Sequence, residues 1–382
     1  MPERLQFFAT AARGTEPLLA DELAELGAKK IRQDRGGVRF AANWNEALRI
    51  CLWTRIAMRV LHPLGEFNAR GAQGLYDAAR SIAWEEHLTP ESTFAVEATL
   101  RDSEHTHSGF VALKVKDAIA DRLREKLGRR PNVDPRSPDV SVAVHLAKEK
   151  LSIGIDLVGE PLHQRGYRVQ SSPAPLKTTL AAALLRAAGY TGQESLVDPM
   201  CGSGTILIEA ASIAANRAPN LQRKLGVERW PKRGKEARAS LDELRAEAIA
   251  AQRKPPHPII GFDRDADAIT AARQNSAAAK LGGAVRLEIS DAMQPPPLEG
   301  VPPGLLITNP PYGNRLTAGG QKGMKTFYFK LGETLRQLHG WRMFILAGNP
   351  AFESAFHLKP TSARDFWNGP IECRLLGYPA RP

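Results

Sequence analysis

Residues 195–216 read SLVDPMCGSGTILIEAASIAAN, and the junction at 198–205, Asp-Pro-Met-Cys-Gly-Ser-Gly-Thr, decides the fold class. A short apolar run precedes it and a helix-periodic Ile/Leu/Ala stretch follows, which predicts strand, tight turn and helix. Two glycines one residue apart let the backbone pass close to a ligand and turn sharply into a helix. The helix N-terminus so formed attracts an anionic group. A phosphate-binding loop of the Walker type needs Lys after its last glycine, and Thr205 stands there instead. The dinucleotide pattern G-x-G-x-x-G needs a third small residue, where this chain has Leu207. What remains is an acidic residue at a strand end followed by G-x-G. Alone, that pattern also serves a plain strand-to-helix turn.

The junction does not stand alone. Downstream, short apolar strands alternate with helical stretches: PIIGFD ends in Asp263, VRLEISD in Asp291, and GLLITNPP leads into Asn309-Pro310-Pro311-Tyr312. Fully apolar strands of this length fit a parallel sheet buried on both faces. Strand ends reading Asp198, Asp263, Asp291 and Asn309 line polar groups along the carboxyl edge, where open α/β sheets bind ligands. A carboxylate at Asp263 can accept two hydrogen bonds from a ribose diol. In NPPY, both prolines stiffen the backbone and lack amide hydrogens. The Asn309 amide oxygen and the Pro310 carbonyl can then accept from one exocyclic NH2, aiming its lone pair at an electrophile. Tyr312 offers a flat face on which a base can stack. The chemistry implied is methyl transfer from a sulfonium nucleoside to a planar amine. An adenine N6, a guanine N2 and a glutamine side-chain amide all fit that geometry, and an inactive RNA-binding module stays open beside them.

Composition narrows the class. The chain has 382 residues, 43% apolar and 24% charged, which suits two or three globular domains. No run of about 18 apolar residues predicts a membrane span, and the start, MPERLQFFAT, lacks the apolar core of a signal peptide. A cytoplasmic protein is expected. Cys51, Cys201 and Cys373 are too scattered for a disulfide framework. His105 and His107 stand two apart without a third ligand, so no metal site is expected. Lys+Arg exceed Asp+Glu by 52 to 41, and residues 217–254 hold 11 basic against 5 acidic residues. That stretch fills the long gap between Asp198 and Asp263. Lys232, Arg233 and Lys235 within it are candidate phosphate contacts, although a charge run of this kind also suits a solvated surface.

The first half reads as alternating strands and helices. Thr15 is expected to cap a helix over EPLLADELAEL, and Asn43 with Glu46 to form a capping box for the next. Val111, Val115, Ile119 and Leu123 mark one face of a long helix, and VSVAVHLAK with LSIGIDLVG reads as a hairpin. From Pro161 to Pro175 the chain is irregular, PLHQRGYRVQSSPAP, as in an inter-domain crossing.

These motifs resemble the class I S-adenosylmethionine-dependent RNA methyltransferases that carry an N-terminal THUMP domain. Residues 198–205, Gly-Phe-Asp-Arg-Asp (261–265) and Asn-Pro-Pro-Tyr-Gly (309–313) carry the resemblance. So do ATAARGTEPLLADELAELGA, RRPNVD, HLAKEKLSIGIDLVGEPLHQRGYR and APLKTTLAAALL, which are similar to bacterial 23S rRNA guanine-N2 methyltransferases of the RlmL type. The resemblance implies an α/β, Rossmann-like methyltransferase domain at 177–382, behind an α+β region that binds RNA. That region divides into a ferredoxin-like segment at 1–62 and a THUMP domain at 63–160, with a start as early as 43 allowed; 161–176 is the linker. It implies S-adenosyl-L-methionine as cofactor, held by Asp198, Cys201, Gly202, Ser203, Gly204, Asp263, Asp291 and Asn309, with Asp291 on the adenine side. Met200 and Cys201 are read as fillers beside it rather than reactive groups. Thr179 and Pro175 are implied near its methionine end. Asn309, Pro310, Pro311 and Tyr312 form the catalytic pocket. The expected partner is 23S rRNA or a ribosome assembly intermediate, with tRNA guanine-N2 or nucleic-acid adenine-N6 methylation as alternatives. A monomer performing one modification is expected, because some relatives are fused to a second methyltransferase half.

Overall fold

A computed structural model describes residues 3–170, 176–312 and 320–381, without the side chains of 320 and 321. The chain divides into two compact units. The first comprises Met1–Ala11, Ala20–Leu162 and Gln222–Glu247; the second comprises Ala12–Leu19, His163–Leu221 and Ala248–Pro382.

The first unit is built on one eight-stranded sheet. Its elements are β1 (Leu5–Thr10), α1 (Glu16–Glu25, which the unit boundary crosses), β2 (Lys29–Asp34), β3 (Gly37–Ala42), α2 (Trp44–Trp53), β4 (Arg59–Asn68), α3 (Gly71–Ser81), β5 (Thr93–Arg101), α4 (Ser108–Leu127), β6 (Asn132–Val133), β7 (Val140–Ala147) and β8 (Lys150–Asp156). The strand order is β2-β3-β1-β4-β8-β7-β5-β6. The ten-residue β4 runs through residues 62 and 63 and pairs antiparallel with both β1 and β8, so the sheet is continuous from the first strand to the last. The hairpin β7–β8 pairs antiparallel as its alternation predicts. Val111, Val115, Ile119 and Leu123 of α4 are fully buried. Asn43 Oδ1 accepts from the Glu46 amide at 2.9 Å, and Glu46 Oε2 accepts from the Asn43 amide at 2.9 Å, completing the capping box. Thr15 behaves otherwise: its hydroxyl donates to the Ala12 carbonyl at 2.7 Å, and Glu16 instead takes the Gly14 amide at 2.7 Å. The strand β2 escapes sequence reading because none of its side chains is buried.

The second unit follows with α5 (Thr178–Ala187), β9 (Leu196–Asp198), α6 (Thr205–Ala214), β10 (Ile259–Asp263), α8 (Ala266–Ala278), β11 (Arg286–Ile289), β12 (Leu305–Thr308), α9 (Gly320–Leu335), β13 (Arg342–Ala347), α10 (Phe352–Phe356), β14 (Ser362–Asn368) and β15 (Ile371–Tyr378). Helix α7 (Gly234–Ala250) lies between α6 and β10 in sequence and falls mostly in the first unit. The seven-stranded sheet has the order β11-β10-β9-β12-β13-β15-β14. β11, β10, β9, β12 and β13 are parallel neighbours, and β15 and β14 complete the sheet antiparallel. This is the Rossmann-like α/β arrangement, with its strand order reversing beside β9, the place where such sheets open a ligand crevice. Val197, Ile260, Phe262, Leu306, Met343 and Ile345 pack the sheet's interior, together with Tyr328, Leu331 and Phe352 from the helices. The hairpin β14–β15 lies beyond the elements expected from sequence: β14 is an edge strand that fully buries only Phe366.

Candidate active site

The site begins at the carboxyl end of β9. Gly202 and Gly204 take φ of +53° and +81°, a left-handed backbone that a side chain would strain. A Cβ at Gly204 would also stand 3.1 Å from the Ala272 methyl, whereas one at Gly202 would meet nothing within 4 Å. The loop is therefore braced on its inner side and open on its outer side, above the N-terminus of α6. The Cys201 amide donates to the Phe262 carbonyl at 2.8 Å, which ties the loop to β10. Burial pushes the Cys201 thiol well up, in keeping with its reading as a filler.

Asp198 is buried, 1% exposed, and its carboxylate faces Thr308 at the end of β12. The Thr308 hydroxyl donates to Asp198 Oδ1 at 2.7 Å, and the Met200 amide to the same oxygen at 3.1 Å. Burial pushes its carboxyl up to about 7, helped by repulsion from Asp263 and opposed by the two hydrogen bonds. One residue past Thr308 stands Asn309, so this side-chain bond adds to the parallel pairing of β9 and β12 at the end where NPPY begins.

Asp263 ends β10, the next strand over. Its Oδ2 accepts from the Gly202 amide at 2.9 Å and its Oδ1 from the Asp265 amide at 3.0 Å. Each oxygen keeps a second acceptor direction for a diol. Asp291 lies two residues past β11, exposed, with Oδ1 accepting from the Met293 amide at 3.0 Å. Asn309 Oδ1 is buried with no hydrogen-bond partner. The Pro311 carbonyl accepts from the Tyr328 hydroxyl at 2.8 Å, and Tyr312 is half-buried. The structure thus brings Asp198, Cys201, Gly202, Ser203, Gly204, Asp263 and Asn309 to one edge of the sheet, with Asp291 at its outer end. Gly313 and Pro175 lie outside the described residues. Thr179, on α5, is buried and its hydroxyl has no partner.

Sequence reading missed a strap over the loop. Asn275, buried on α8, accepts at Oδ1 from the amides of Val169 and Gln170 at 3.0 and 3.1 Å. Its Nδ2 donates to the carbonyls of Gln170 and Ser203 at 3.0 and 3.1 Å. Arg168 donates to the Thr205 hydroxyl at 2.9 Å, at the first residue of α6. Deeper down, Arg165 and Glu209 form a buried ion pair at 3.3 Å. The Arg-Gly-Tyr-Arg cluster of the linker, 165–168, was the visible signal, but its partners were not.

The basic stretch takes an unexpected place. Residues 222–247 belong to the first unit, although the sequence sets them beside the cofactor loop. The Val227 amide donates to the Leu157 carbonyl at 2.9 Å, and Arg229 to the Pro138 carbonyl at 3.1 Å. Trp230 meets Trp44 edge to face at 6.0 Å, and the Arg233 guanidinium lies 4.6 Å from the centre of the Trp44 ring. The cause is apolar: Leu225, Val227, Trp230, Leu241 and Leu244 are all buried. Lys232, Arg233 and Lys235 remain exposed. Among the described residues, no group of three His, Cys, Asp or Glu is placed to hold a metal, and no helix is long and apolar enough to cross a membrane.

Comparison with known proteins agrees with this arrangement. The RMKL-like methyltransferase domain matches residues 165–376, the THUMP domain 69–156, and the RlmL ferredoxin-like domain 6–61. The ribosomal RNA large subunit methyltransferase K/L of Syntrophotalea carbinolica is 43% identical over 99% of this chain and 54% of its own length. The chain thus spans about half the length of the curated relatives it matches. Among solved structures, SMU.472, complexed with SAH, is 30% identical and superposes with a TM-score of 0.90, covering 100% of both chains. A protein of Listeria monocytogenes, described as a predicted N6-adenine-specific DNA methylase, is also 30% identical, with a TM-score of 0.87 over 99% of this chain and 97% of that one. Sequence, sheet order and site geometry agree: the chain belongs to the RMKL-like methyltransferase family, with THUMP and RlmL-type ferredoxin-like domains ahead of its catalytic domain.

Proposed function

We propose that this chain transfers the methyl group of S-adenosyl-L-methionine to the exocyclic N2 of a guanine in 23S rRNA. The observation that carries the reading is the buried, unpartnered Asn309 Oδ1 beside a proline-stiffened carbonyl at the sheet's carboxyl edge. A desolvated acceptor without a partner costs about 1–3 kcal/mol, and an incoming NH2 group relieves that cost. The relatives' large-subunit rRNA designation and the THUMP domain support RNA as the substrate.

When bound, S-adenosyl-L-methionine supplies an electrophilic methyl on sulfur. The loop 201–204 and the N-terminus of α6 would hold its carboxylate-bearing end, with Asp263 on the ribose diol and Asp291 toward the adenine. Asn309 and the Pro310 carbonyl would fix the amine nitrogen, and Tyr312 would stack on the base. The base reaches them unpaired or flipped from its helix, since the pocket must surround its edge. Residues 1–62 and 63–160 would grip structured RNA, and Lys232, Arg233 and Lys235 would add phosphate contacts to that grip.

A tritiated methyl group carried into large-subunit RNA, followed by nucleoside digestion, tests the reading. The expected product is N2-methylguanosine. Recovery of N6-methyladenosine, the alternative that the Listeria relative's description raises, or label in tRNA alone, would overturn it. Asn309→Ala should remove about 100-fold or more of turnover and leave S-adenosyl-L-methionine affinity within about twofold.

A further inference from the structure

Tyr312 is held from two sides by residues outside its motif. Gly348 stands one residue past β13, and a Cβ there would lie 2.7 Å from Tyr312 Cγ and 2.9 Å from both Cδ1 and Cδ2. Equal distances to the two Cδ atoms, with Cγ nearest, mean that the glycine backbone approaches the ring over its face. At the ring's far end, Asn368 Nδ2 donates to the Tyr312 hydroxyl. Asn368 is the last residue of β14, before the turn at Gly369 with φ of +63°. The Tyr312 carbonyl accepts from Asn349 Nδ2 at 3.3 Å.

A ring on a loop ordinarily keeps rotamer freedom that a binding base must freeze out. Here one face rests on backbone at the root and a hydrogen bond fixes the tip, so the plane of the ring is set before any base arrives. One face is taken by Gly348, which leaves the other for a single base. The hydroxyl, held by Asn368, is an anchor rather than an acid or base.

From this geometry we propose that Gly348 and Asn368 are positioning residues for the methyl-accepting base, acting through Tyr312. The proposal rests on the reading of Asn309–Tyr312 as the amine-binding pocket. Only a glycine admits the ring at 348, and the β14–β15 hairpin exists in part to bring Asn368 to the ring's tip.

The test is a double-mutant cycle on the full chain, with tritiated S-adenosyl-L-methionine and a large-subunit rRNA transcript. Asn368→Ala and Tyr312→Phe should each lower kcat/KM for RNA about tenfold. Cofactor affinity should stay within about twofold in each, and the melting midpoint within a degree or two. The double variant should lose no more than either single variant, because both remove the same hydrogen bond. Gly348→Ala should cost about 100-fold with Tyr312 in place and little in a Tyr312→Ala background. Multiplicative losses in the double variant, wild-type activity in Asn368→Ala, or an undiminished Gly348→Ala effect without the ring would overturn the proposal. If the wild-type chain methylates no RNA, the functional reading falls and this proposal falls with it. If it methylates RNA but the cycle shows no coupling, only the positioning role fails.

Discussion

Two aspartates close buried strands, one in each unit: Asp156 ends β8 and Asp198 ends β9, and both are 1% exposed. Burial raises both carboxyls, Asp156 to about 6 and Asp198 to about 7. Their partners differ in kind. Asp156 faces the Arg59 guanidinium, which also reaches the Gly159 carbonyl at 2.8 Å and Glu97 at 2.9 Å. Among the described residues, Asp198 has a hydroxyl and an amide as partners, and Asp263 beside it repels its charge. A buried carboxylate with a counter-charge is a structural joint. One without a counter-charge, at the carboxyl edge of a parallel sheet, is a candidate for a functional role. S-adenosyl-L-methionine carries a sulfonium and an ammonium, either of which would supply the missing charge.

The sharpest way to break this contrast is Arg59→Ala. Removing the guanidinium strands Asp156 in the sheet, at an expected cost of about 3–5 kcal/mol in chemical denaturation at pH 8. Asp156 binds its proton more tightly folded than unfolded, so its contribution declines as pH rises from about 4 to 6. Without Arg59 the decline should extend to higher pH, and the variant should recover part of its loss below pH 6. A loss under about 1 kcal/mol would make the pair idle.

Asp198→Asn should act in the opposite direction. The folded carboxyl sits at about 7 against 3.8 unperturbed, so the folded state holds the extra proton and stability falls as pH rises through that window. Asparagine keeps an acceptor for Thr308 and Met200 but has no charge to bury. Hydrogen exchange of the β9 and β12 amides should show it more stable than wild type at pH 8, by on the order of 2–4 kcal/mol, and equal near pH 4. Its affinity for S-adenosyl-L-methionine should fall. Parallel pH curves for the two proteins would place the titration elsewhere.

The smallest expected effect concerns surface charge. By compact unit, the first holds 30 Lys+Arg against 27 Asp+Glu and the second 22 against 14. The near-neutral unit thus owns the exposed cations at Lys232, Arg233 and Lys235. Replacing them with Glu should leave stability within about 1 kcal/mol and flatten the salt dependence of RNA binding by up to about three phosphate contacts. An unchanged slope would make the arm a solvated surface and leave RNA contact to the rest of the molecule.

Features within one element were legible in the residues. The face of α4, the Asn43–Glu46 box, the β7–β8 alternation and the G-x-G turn each follow from spacings of a few positions. Thr15 shows the limit: its type suits a cap, but its hydroxyl donates to the Ala12 carbonyl. The carboxyl-edge order of Asp198, Asp263 and Asn309 was legible too, because parallel strands with helical crossovers leave few topologies. Asn275 was not, since an asparagine inside a helix gives no sign of a strap 105 residues away.

By itself, then, the sequence determined the α/β class and the succession of motifs along the sheet edge, since these rest on local period and residue type. Tertiary structure alone decided that Asp198 spends its acceptor on Thr308, 110 positions on. It also decided that the basic arm joins the first unit and that Gly348 and Asn368 hold Tyr312. Those outcomes depend on which distant surfaces exclude water together, and burial, unlike periodicity, leaves no mark on the neighbouring residues.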